Sequence, residues 1–257
     1  DIICCTQEIY TSKYLDIENC TCIMDEFHYI FESEDRSRAY IDALHNSKAK
    51  NLLICSATFG NIKKFQEYVE EVSERQFHTY EGNERLTKLN YRFGISKDKI
   101  SNALAVAFSV KNCQIICNEL KQNRQKDINF LINESKIQQI QELAEYYKIT
   151  NKQILESVVY GVTYYYGSLL PKEKLFIEQL FENRLIDTVV GTDSLAMGVN
   201  FPVQNVVFAQ TVKYFNGKSI SKNLFDQLAG RAGRKGYYDE GYVYFCDEFT
   251  NEHGQSI

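Results

Sequence analysis

Short apolar runs alternate with longer amphipathic stretches along most of the chain. A short apolar run is typical of a buried strand, and apolar residues at three- and four-residue spacing are typical of a helix. The predicted strands are Ile2–Cys5, Thr21–Met24, Leu52–Cys55, Ala103–Phe108, Asp187–Val190 and Asn205–Phe208. The predicted helices are Arg38–Asn46, Ile62–Glu71, Asn112–Asn123, Ser135–Tyr146, Lys172–Glu182 and Asn223–Gly230. This alternation predicts an α/β protein with parallel sheets flanked by helices.

A polar segment between about Glu81 and Ser101 interrupts the pattern and begins with EGNER, which predicts a turn. We therefore expect two domains, residues 1–85 and residues 86–257. The stretch 127–159 is rich in Gln, Glu and Lys. It predicts a helical insertion in the second domain, for which a solvated helical pair is the simplest expectation.

The composition is ordinary for a globular protein, with 44% hydrophobic and 25% charged residues. The formal net charge of −5 argues against a purely electrostatic nucleic-acid binder, because any phosphate contact must then be local. No apolar run reaches membrane-spanning length, and no signal peptide is apparent. The expected protein is intracellular and has no membrane partner.

The eight cysteines include no CxxC pair and have no histidine at zinc spacing. We expect neither a disulfide framework nor a zinc site. Five of them lie in apolar, strand-like runs, where a free thiol is expected to pack as a small hydrophobic group. These are Cys4, Cys5, Cys22, Cys55 and Cys246.

The segment QLAGRAGR, residues 227–234, is the most informative in the chain. If it is helical, Arg231 and Arg234 lie three residues apart on one face and can reach the same anion. Together with Gln227 they suit a triphosphate, whose developing charge an arginine stabilises during phosphoryl transfer. Gly230 and Gly233 permit close backbone approach. The alternative is a solvated basic helix end.

Polar residues also follow two predicted strands. Asp25, Glu26 and His28 come directly after one, and Ser56 and Thr58 follow the next. Carboxyl ends of parallel strands meet at one sheet edge, so these side chains are expected to lie together. One carboxylate can hold Mg²⁺ through water, and the other can polarise an attacking water. His28 could report the nucleotide state, whereas the alternative reading is a solvated turn.

These segments resemble a known family. DEFH (25–28), SAT (56–58), GTDSLAMGVNFP (191–202) and QLAGRAGR resemble motifs II, III, V and VI of superfamily II DExH-box helicases, especially the Ski-type branch. CTQEI (5–9) is similar to motif Ib, and AFSVKNC (107–113) is similar to motif IV. The resemblance implies two RecA-like lobes with parallel sheets, the first lacking its N-terminal part. It also implies ATP and Mg²⁺ as cofactors, single-stranded or partly duplex RNA or DNA as partner, and 3′→5′ movement.

Residue roles follow from the same resemblance. ATP would lie in a cleft with Asp25, Glu26 and His28 on one wall and motif VI on the other. In motif V, Gly191 and Gly198 form a tight loop, while Asp193 couples nucleic acid to the arginines. Ser56 and Thr58 are implied to be coupling residues. The implied nucleic-acid contacts are Thr6, Thr192, Tyr165 and Tyr166, the two tyrosines replacing histidines that are usual there.

Asn216-Gly217 predicts a type I′ hairpin spanning roughly Val207 to Ile220. This reading is favoured over a phosphate loop at Gly217-Lys218-Ser219, because position 212 is valine where that loop needs glycine. Tyr214 and Phe215 would lie near the tip. They would either stack on a base or cover the core, and the sequence leaves both open.

The phosphate-binding loop GxxxxGK[ST] does not occur in the chain. We therefore expect the chain to be a piece of a longer protein and to have little ATPase activity alone. The favoured function is an ATP-dependent nucleic-acid helicase or translocase. The alternative is a non-catalytic, helicase-derived module that binds nucleic acid or protein partners.

Overall fold

The computed structural model describes residues 1–31, 34–56, 61–82, 85–127, 133–196, 199, 201–213, 218–251 and 255–257. These residues form two compact units, Asp1–Glu84 and Arg85–Ile257. Within the described ranges, no helix is both long and apolar enough to span a membrane. The Glu81–Ser101 segment, expected to be connecting chain, contains a strand that belongs to the second unit.

The first unit contains a two-stranded parallel sheet, β1 (Thr21–Met24) and β2 (Asn51–Ile54). Its helices are α1 (Gln7–Lys13), α2 (Glu34–Asn46) and α3 (Ile62–Ser73). The fully buried Phe27 is central to its core. Edge-to-face contacts at centroid distances of 5.0 and 5.6 Å join its ring to Tyr40 of α2 and Phe65 of α3. The residue after the acidic pair thus fixes both helices to the sheet.

The predicted strand Ile2–Cys5 is wrong. Its residues lie outside the two-stranded sheet, and Ile2 is 94% exposed. An apolar run becomes a strand only where a neighbour accepts its backbone hydrogen bonds, and β1 and β2 pair with each other. Cys4 and Cys5 are therefore exposed rather than packed, Cys22 and Cys55 are partly buried, and Cys246 is buried.

The second unit has a six-stranded parallel sheet in the order β3-β10-β7-β4-β6-β5. The predicted α/β class with parallel sheets is confirmed. The strands are β3 (Lys88–Arg92), β4 (Ala103–Val106), β5 (Val162–Tyr165), β6 (Thr188–Gly191), β7 (Asn205–Phe208) and β10 (Glu240–Phe245). Every residue of β4 and β6 is buried, as expected for central strands covered on both faces.

The helices of this unit are α4 (Val110–Lys126), α5 (Glu134–Tyr146), α6 (Lys152–Val158), α7 (Pro171–Glu182) and α8 (Lys222–Ala229). Helix α4 contacts β5 and β6, and α6 contacts β5. The expectation of a solvated helical pair in 127–159 was wrong for α6. Its Ile154 and Val158 are fully buried in the main core, whereas the only buried residue of α5 is Ile140.

A hairpin is present near the predicted place, but its register does not fit a two-residue type I′ turn at Asn216-Gly217. Val212 pairs with Ser219 and Lys213 with Lys218, so four residues lie between the arms, and Val207 belongs to β7 rather than to the hairpin. Strands β8 (Val212–Lys213) and β9 (Lys218–Ser219) pair antiparallel. The backbone N–H of Ile220 donates to the carbonyl of Thr211 at 3.1 Å, which continues the pairing. The tip, with Tyr214 and Phe215, lies outside the described residues, so both readings of these aromatics stay open.

Arg124 joins the starts of three strands. From the last turn of α4, its Nη2 donates to Asp187 Oδ1 at 2.7 Å and to Thr188 Oγ1 at 2.8 Å, at the start of β6. The carbonyl of Tyr160, before β5, accepts from Nη1 at 2.8 Å, and that of Ile100, before β4, accepts from Nη2 at 3.3 Å. One side chain, 11% exposed, therefore holds α4 across three neighbouring strands.

Replacing Arg124 by methionine keeps its apolar stem and removes every donor. We expect the free energy of unfolding of the second unit to fall by about 2–4 kcal/mol, because buried acceptors lose their partner. Urea-dependent hydrogen exchange of peptides from β4 and β6 measures the change. Lys126→Met, an exposed change in the same helical turn, serves as control. Equal exchange in the two variants would contradict the assignment.

Candidate functional site

The acidic motif lies directly after β1 in an unusual backbone conformation. Glu26 has φ = 50°, and its N–H donates to Asp25 Oδ1 at 2.9 Å. A non-glycine residue in the left-handed region costs about 1–3 kcal/mol and is often found at functional sites. The N–H of Phe27 donates to the carbonyl of Cys55 at 3.0 Å, and burial of the Phe27 ring anchors the turn. Both carboxylates are thereby held at the surface at the end of the strand.

His28 brings the acidic motif and the serine after β2 together. Its Nδ1 lies 3.2 Å from Glu26 Oε2 and 3.4 Å from Ser56 Oγ, and the residue is 8% exposed. The sequence-based expectation that these residues share one sheet edge agrees with these distances. Thr58 lies outside the described residues.

Asp25 and Glu26 are the side chains expected to hold a magnesium ion, and both are exposed. Mg²⁺ is usually bound by one or two carboxylates and completed by water and substrate phosphates, so two exposed carboxylates fit a nucleotide-borne ion. Among the described residues, no group of three or more His, Cys, Asp or Glu side chains could hold a metal without such help.

The segment after β6 is a tight loop that requires glycine. A Cβ on Gly191 would lie 2.4 Å from the carbonyl oxygen of Tyr165 and 2.7 Å from Leu195 Cγ. The chain then forms a 3-10 turn, Asp193–Ala196. Thr192 Oγ1 accepts from the N–H of Ser194 at 3.4 Å. Thr192 and Asp193 are thus partly exposed just beyond the strand, whereas Gly198 lies outside the described residues.

The other predicted nucleic-acid contacts differ in exposure. Tyr165 and Tyr166 are 5% and 8% exposed. The Tyr165 hydroxyl donates to Glu178 Oε1 at 2.8 Å, and burial, followed by this bond, raises its pKa. The ring of Tyr166 stacks on Tyr164 at 5.4 Å. The predicted contacts of these two tyrosines therefore lack an accessible ring face. Thr6 is exposed, and its hydroxyl caps α1 by accepting from the N–H of Ile9 at 3.4 Å.

The prediction that Arg231 and Arg234 project from one helix is wrong. Helix α8 contains Gln227 but ends at Ala229, and Gly230 caps it. Ala232 then forms a bridge with Val203, and Gly233 takes φ = 66°. The backbone at Gly233 lies so close to β10 that a Cβ on this residue would be 2.4 Å from the backbone nitrogen of Gly241. Only glycine fits at this position. The chain leaves the helix to pack against this strand.

The arginines of this turn have separate environments. Arg231 is partly buried, and its Nη1 donates to the carbonyl of Val199 in the 191–202 segment. Arg234 is exposed, and its carbonyl accepts from the N–H groups of Tyr237 and Tyr238, each at 3.1 Å. Helix α8 also contacts the Asp193–Ala196 turn. Motifs V and VI, which the sequence linked by resemblance, are in direct contact.

Sequence reasoning missed Gln210. It is 4% exposed, and its Oε1 accepts from the N–H of Phe108 at 2.8 Å and from Asn112 Nδ2 at 3.2 Å. Its Nε2 donates to the carbonyl of Val212, the first residue of β8. Gln210 thus joins the segment that resembles motif IV to the hairpin. Its signal was a single amide directly after the apolar run VVFA.

Comparison with known proteins agrees with this arrangement. Residues 111–236 match the helicase conserved C-terminal domain. The chain is 41% identical over 87 residues to a probable ATP-dependent RNA helicase DDX60-like of Homo sapiens, covering 34% of this chain and 5% of that protein. It is 39% identical over 95 residues to the exosome RNA helicase MTR4 of Homo sapiens, covering 36% and 9%. Against the antiviral helicase SKI2 of Saccharomyces cerevisiae, identity is 29% over 182 residues, covering 66% and 14%.

The fold and the matched domain thus define a helicase C-terminal lobe. The matched domain and these relatives confirm the predicted resemblance to superfamily II helicases of the DExH-box type and to their Ski-type branch. The matches span only 5% to 14% of the length of the three relatives.

Because Gly233 packs against Gly241, we expect a side chain at position 241 to displace the turn that carries Arg231 and Arg234. In Gly241→Ala the new methyl group would lie 2.5 Å from the Ala232 carbonyl carbon, so the turn must move. We expect a destabilisation of about 1–3 kcal/mol and faster hydrogen exchange of peptides within 227–238. Gly167→Ala, whose Cβ meets nothing within 4 Å, is the control. Unchanged exchange in Gly241→Ala would disprove the close contact.

Proposed function

We propose that this chain is the part of an ATP-dependent nucleic-acid helicase that runs from motif Ib to just beyond motif VI. The observation that supports this best is the grouping of Glu26, His28 and Ser56 after β1 and β2, with distances of 3.2 and 3.4 Å to His28 Nδ1. A solvated turn does not require a buried histidine between a carboxylate and a hydroxyl. The strained backbone at Glu26 also fits a site in which carboxylate position matters.

In this proposal the acidic motif prepares the hydrolytic step. Mg²⁺ bound with ATP supplies a positive charge that stabilises the phosphate oxygens. Asp25 would hold the ion through water. Glu26 would accept the proton of the water that attacks the γ-phosphorus, while the bond from that phosphorus to the departing ADP oxygen breaks. The contacts of His28 with Glu26 and Ser56 make it suited to transmit the state of the acidic motif to motif III.

Motif VI supplies positively charged side chains to the negatively charged triphosphate. Gln227, Arg231 and Arg234 contact the triphosphate, and the arginines stabilise the charge on the transferred group, an effect that can be worth 10³–10⁵ in rate. Arg234 is the better candidate for direct contact because it is exposed, whereas Arg231 also donates to Val199. Asp193 relays a change between motifs V and VI in this proposal, and the contact of its turn with α8 supports this role.

Nucleic acid is the proposed partner, bound locally by Thr6 and Thr192. The names of the relatives, which include exosome RNA helicase and antiviral helicase, favour RNA over DNA. Movement in the 3′→5′ direction rests on family resemblance. Tyr214 and Phe215 remain candidates for stacking on a base. A non-catalytic binding module is the second candidate, and it requires the acidic motif and the arginines to be idle.

The test is ATP hydrolysis by the full-length protein that carries this chain, with single-stranded RNA and DNA compared in parallel. We expect stimulation, larger with RNA, and a loss of at least 10³-fold in kcat for Arg234→Ala, since an arginine that stabilises the transition state is worth this much. Lys235→Ala, the exposed basic neighbour, is the matched control and should retain activity.

Residues 1–257 alone are expected to show little or no ATP hydrolysis. Robust ATP hydrolysis by these residues in the presence of Mg²⁺ would overturn this expectation. A folded full-length protein without turnover on either polymer would favour the non-catalytic module. Equal loss in Arg234→Ala and Lys235→Ala would show that charge in general, rather than this arginine, is required.

A further inference from the structure

Arg85, the first residue of the second unit, reaches the turn that carries Arg231. Its Nη2 donates to the carbonyl of Gly230 at 3.1 Å and also to the carbonyl of Ala232. These two carbonyls flank Arg231 in the chain. A single guanidinium nitrogen, 145 and 147 residues away in sequence, therefore holds the carbonyl of the residue before Arg231 and the carbonyl of the residue after it.

The chemistry of these bonds suits a clamp. Carbonyls at the end of a helix lack intrahelical partners and carry partial negative charge, so a cation is favourable there. Hydrogen bonds from an ionised donor are shorter and stronger than neutral ones. Desolvation of the guanidinium lowers the pKa of Arg85, and the two carbonyls replace part of the water that is lost.

The clamp is itself fixed from the strand side. Arg85 Nε donates to Thr87 Oγ1 at 3.3 Å, and Thr87 is 7% exposed. The following strand, β3, pairs with β10 in a register that sets Leu89 opposite Gly241. Gly241 is the residue against which Gly233 packs. The turn is thus held on one side by Arg85 and on the other by the strand that pairs with β3.

The turn has little regular structure of its own to hold Arg231. Within it, the N–H groups of Arg231 and Ala232 donate to the carbonyls of Leu228 and Ala229 at 3.0 and 3.1 Å, after which the chain leaves the helix. The direction of the Arg231 side chain therefore depends on the path of the backbone through the turn. Arg85 holds this path at the peptide group before Arg231 and at the peptide group after Ala232.

We propose that Arg85 is a positioning residue that holds the motif VI turn in the conformation in which Arg231 acts on the nucleotide. This inference rests on the proposed ATPase function. Arg85 as a residue is exposed and lies outside the buried core of this unit. Its loss therefore displaces the turn without unfolding the sheet, which separates positioning from stability.

The experiment measures steady-state ATP hydrolysis by the full-length protein with saturating nucleic acid. Arg85→Met keeps the apolar stem and removes all donors. We expect kcat to fall by about 10- to 100-fold, the scale of a misplaced catalytic group, with KM for ATP changed by less than about threefold, since the turn affects the transition state more than ground-state binding. Arg85→Lys can still offer one ammonium to both carbonyls, and it should restore most of kcat.

Three controls make the outcomes distinct. Arg92→Met removes an exposed arginine from the other end of β3 and should leave kcat unchanged. Thermal unfolding should show that Arg85→Met stays folded at the assay temperature. Hydrogen exchange of peptides within 228–234 should be faster in Arg85→Met and restored in Arg85→Lys, a readout that does not depend on catalysis.

The results separate the two proposals. If Arg231→Ala keeps full kcat, the proposed role of motif VI fails. If Arg231→Ala is inactive while folded Arg85→Met has wild-type kcat, the positioning role alone fails. The positioning role also fails if Arg85→Met changes KM for ATP rather than kcat. It fails as well if the loss of activity equals the fraction of the variant that is unfolded.

Discussion

The close approach of two glycines, Gly233 and Gly241, is the constraint on which the second unit depends. Without side chains at these positions, the turn after α8 lies directly against β10. Strand β10 in turn pairs with both β3 and β7, while Ala232 bridges Val203 just before β7. The position of the arginine-bearing turn is therefore set by the sheet rather than by the helix that precedes it.

This explains how motif VI can be both fixed and accessible. A helical arrangement would hold Arg231 and Arg234 by local hydrogen bonds and give each a similar environment. The observed turn instead takes its order from three distant segments, through Arg85, Val199 and Gly241. Arg234, next to the glycine contact, remains exposed. Rigid tethering of the backbone with an exposed side chain suits a residue that must meet a ligand.

A different arginine, Arg124, joins neighbouring strands at their starts. Arg124 binds backbone or side-chain oxygens before β4, before β5 and at the start of β6. A Cβ on Gly161 would lie 2.9 Å from its Nη1, so the site has no room for a larger residue there. The polar network stays at the starts of the strands and leaves the ends of β6 and β7 to Thr192, Asp193 and Gln210.

The sequence predicted the interior strands β4, β6 and β7 and most helices, because their apolar residues are buried and form clear runs. It missed β10, most of whose residues are only partly buried, and β5, whose run VTYY is short and mostly polar or aromatic. It could not reveal β3, since an edge strand is half exposed and KLNYR is polar, and it failed at Ile2–Cys5, since pairing is not encoded in an apolar run. The proximity of Glu26, His28 and Ser56 was predictable because strand ends are local features. The end of α8 was not, because Gly241, a residue distant in sequence, decides it.

The same distinction separates the motif residues from those that support them. Glu26, His28 and Ser56 follow strands, so reading outward from each strand is enough to find them. Arg85 and Gln210 carry no motif and are recognised only by the backbone groups they satisfy. Each joins segments about a hundred or more residues apart, and such contacts arise only after the sheet has formed. Local motifs therefore supply the proposed reacting groups, and isolated polar residues elsewhere hold the backbone segments that carry them.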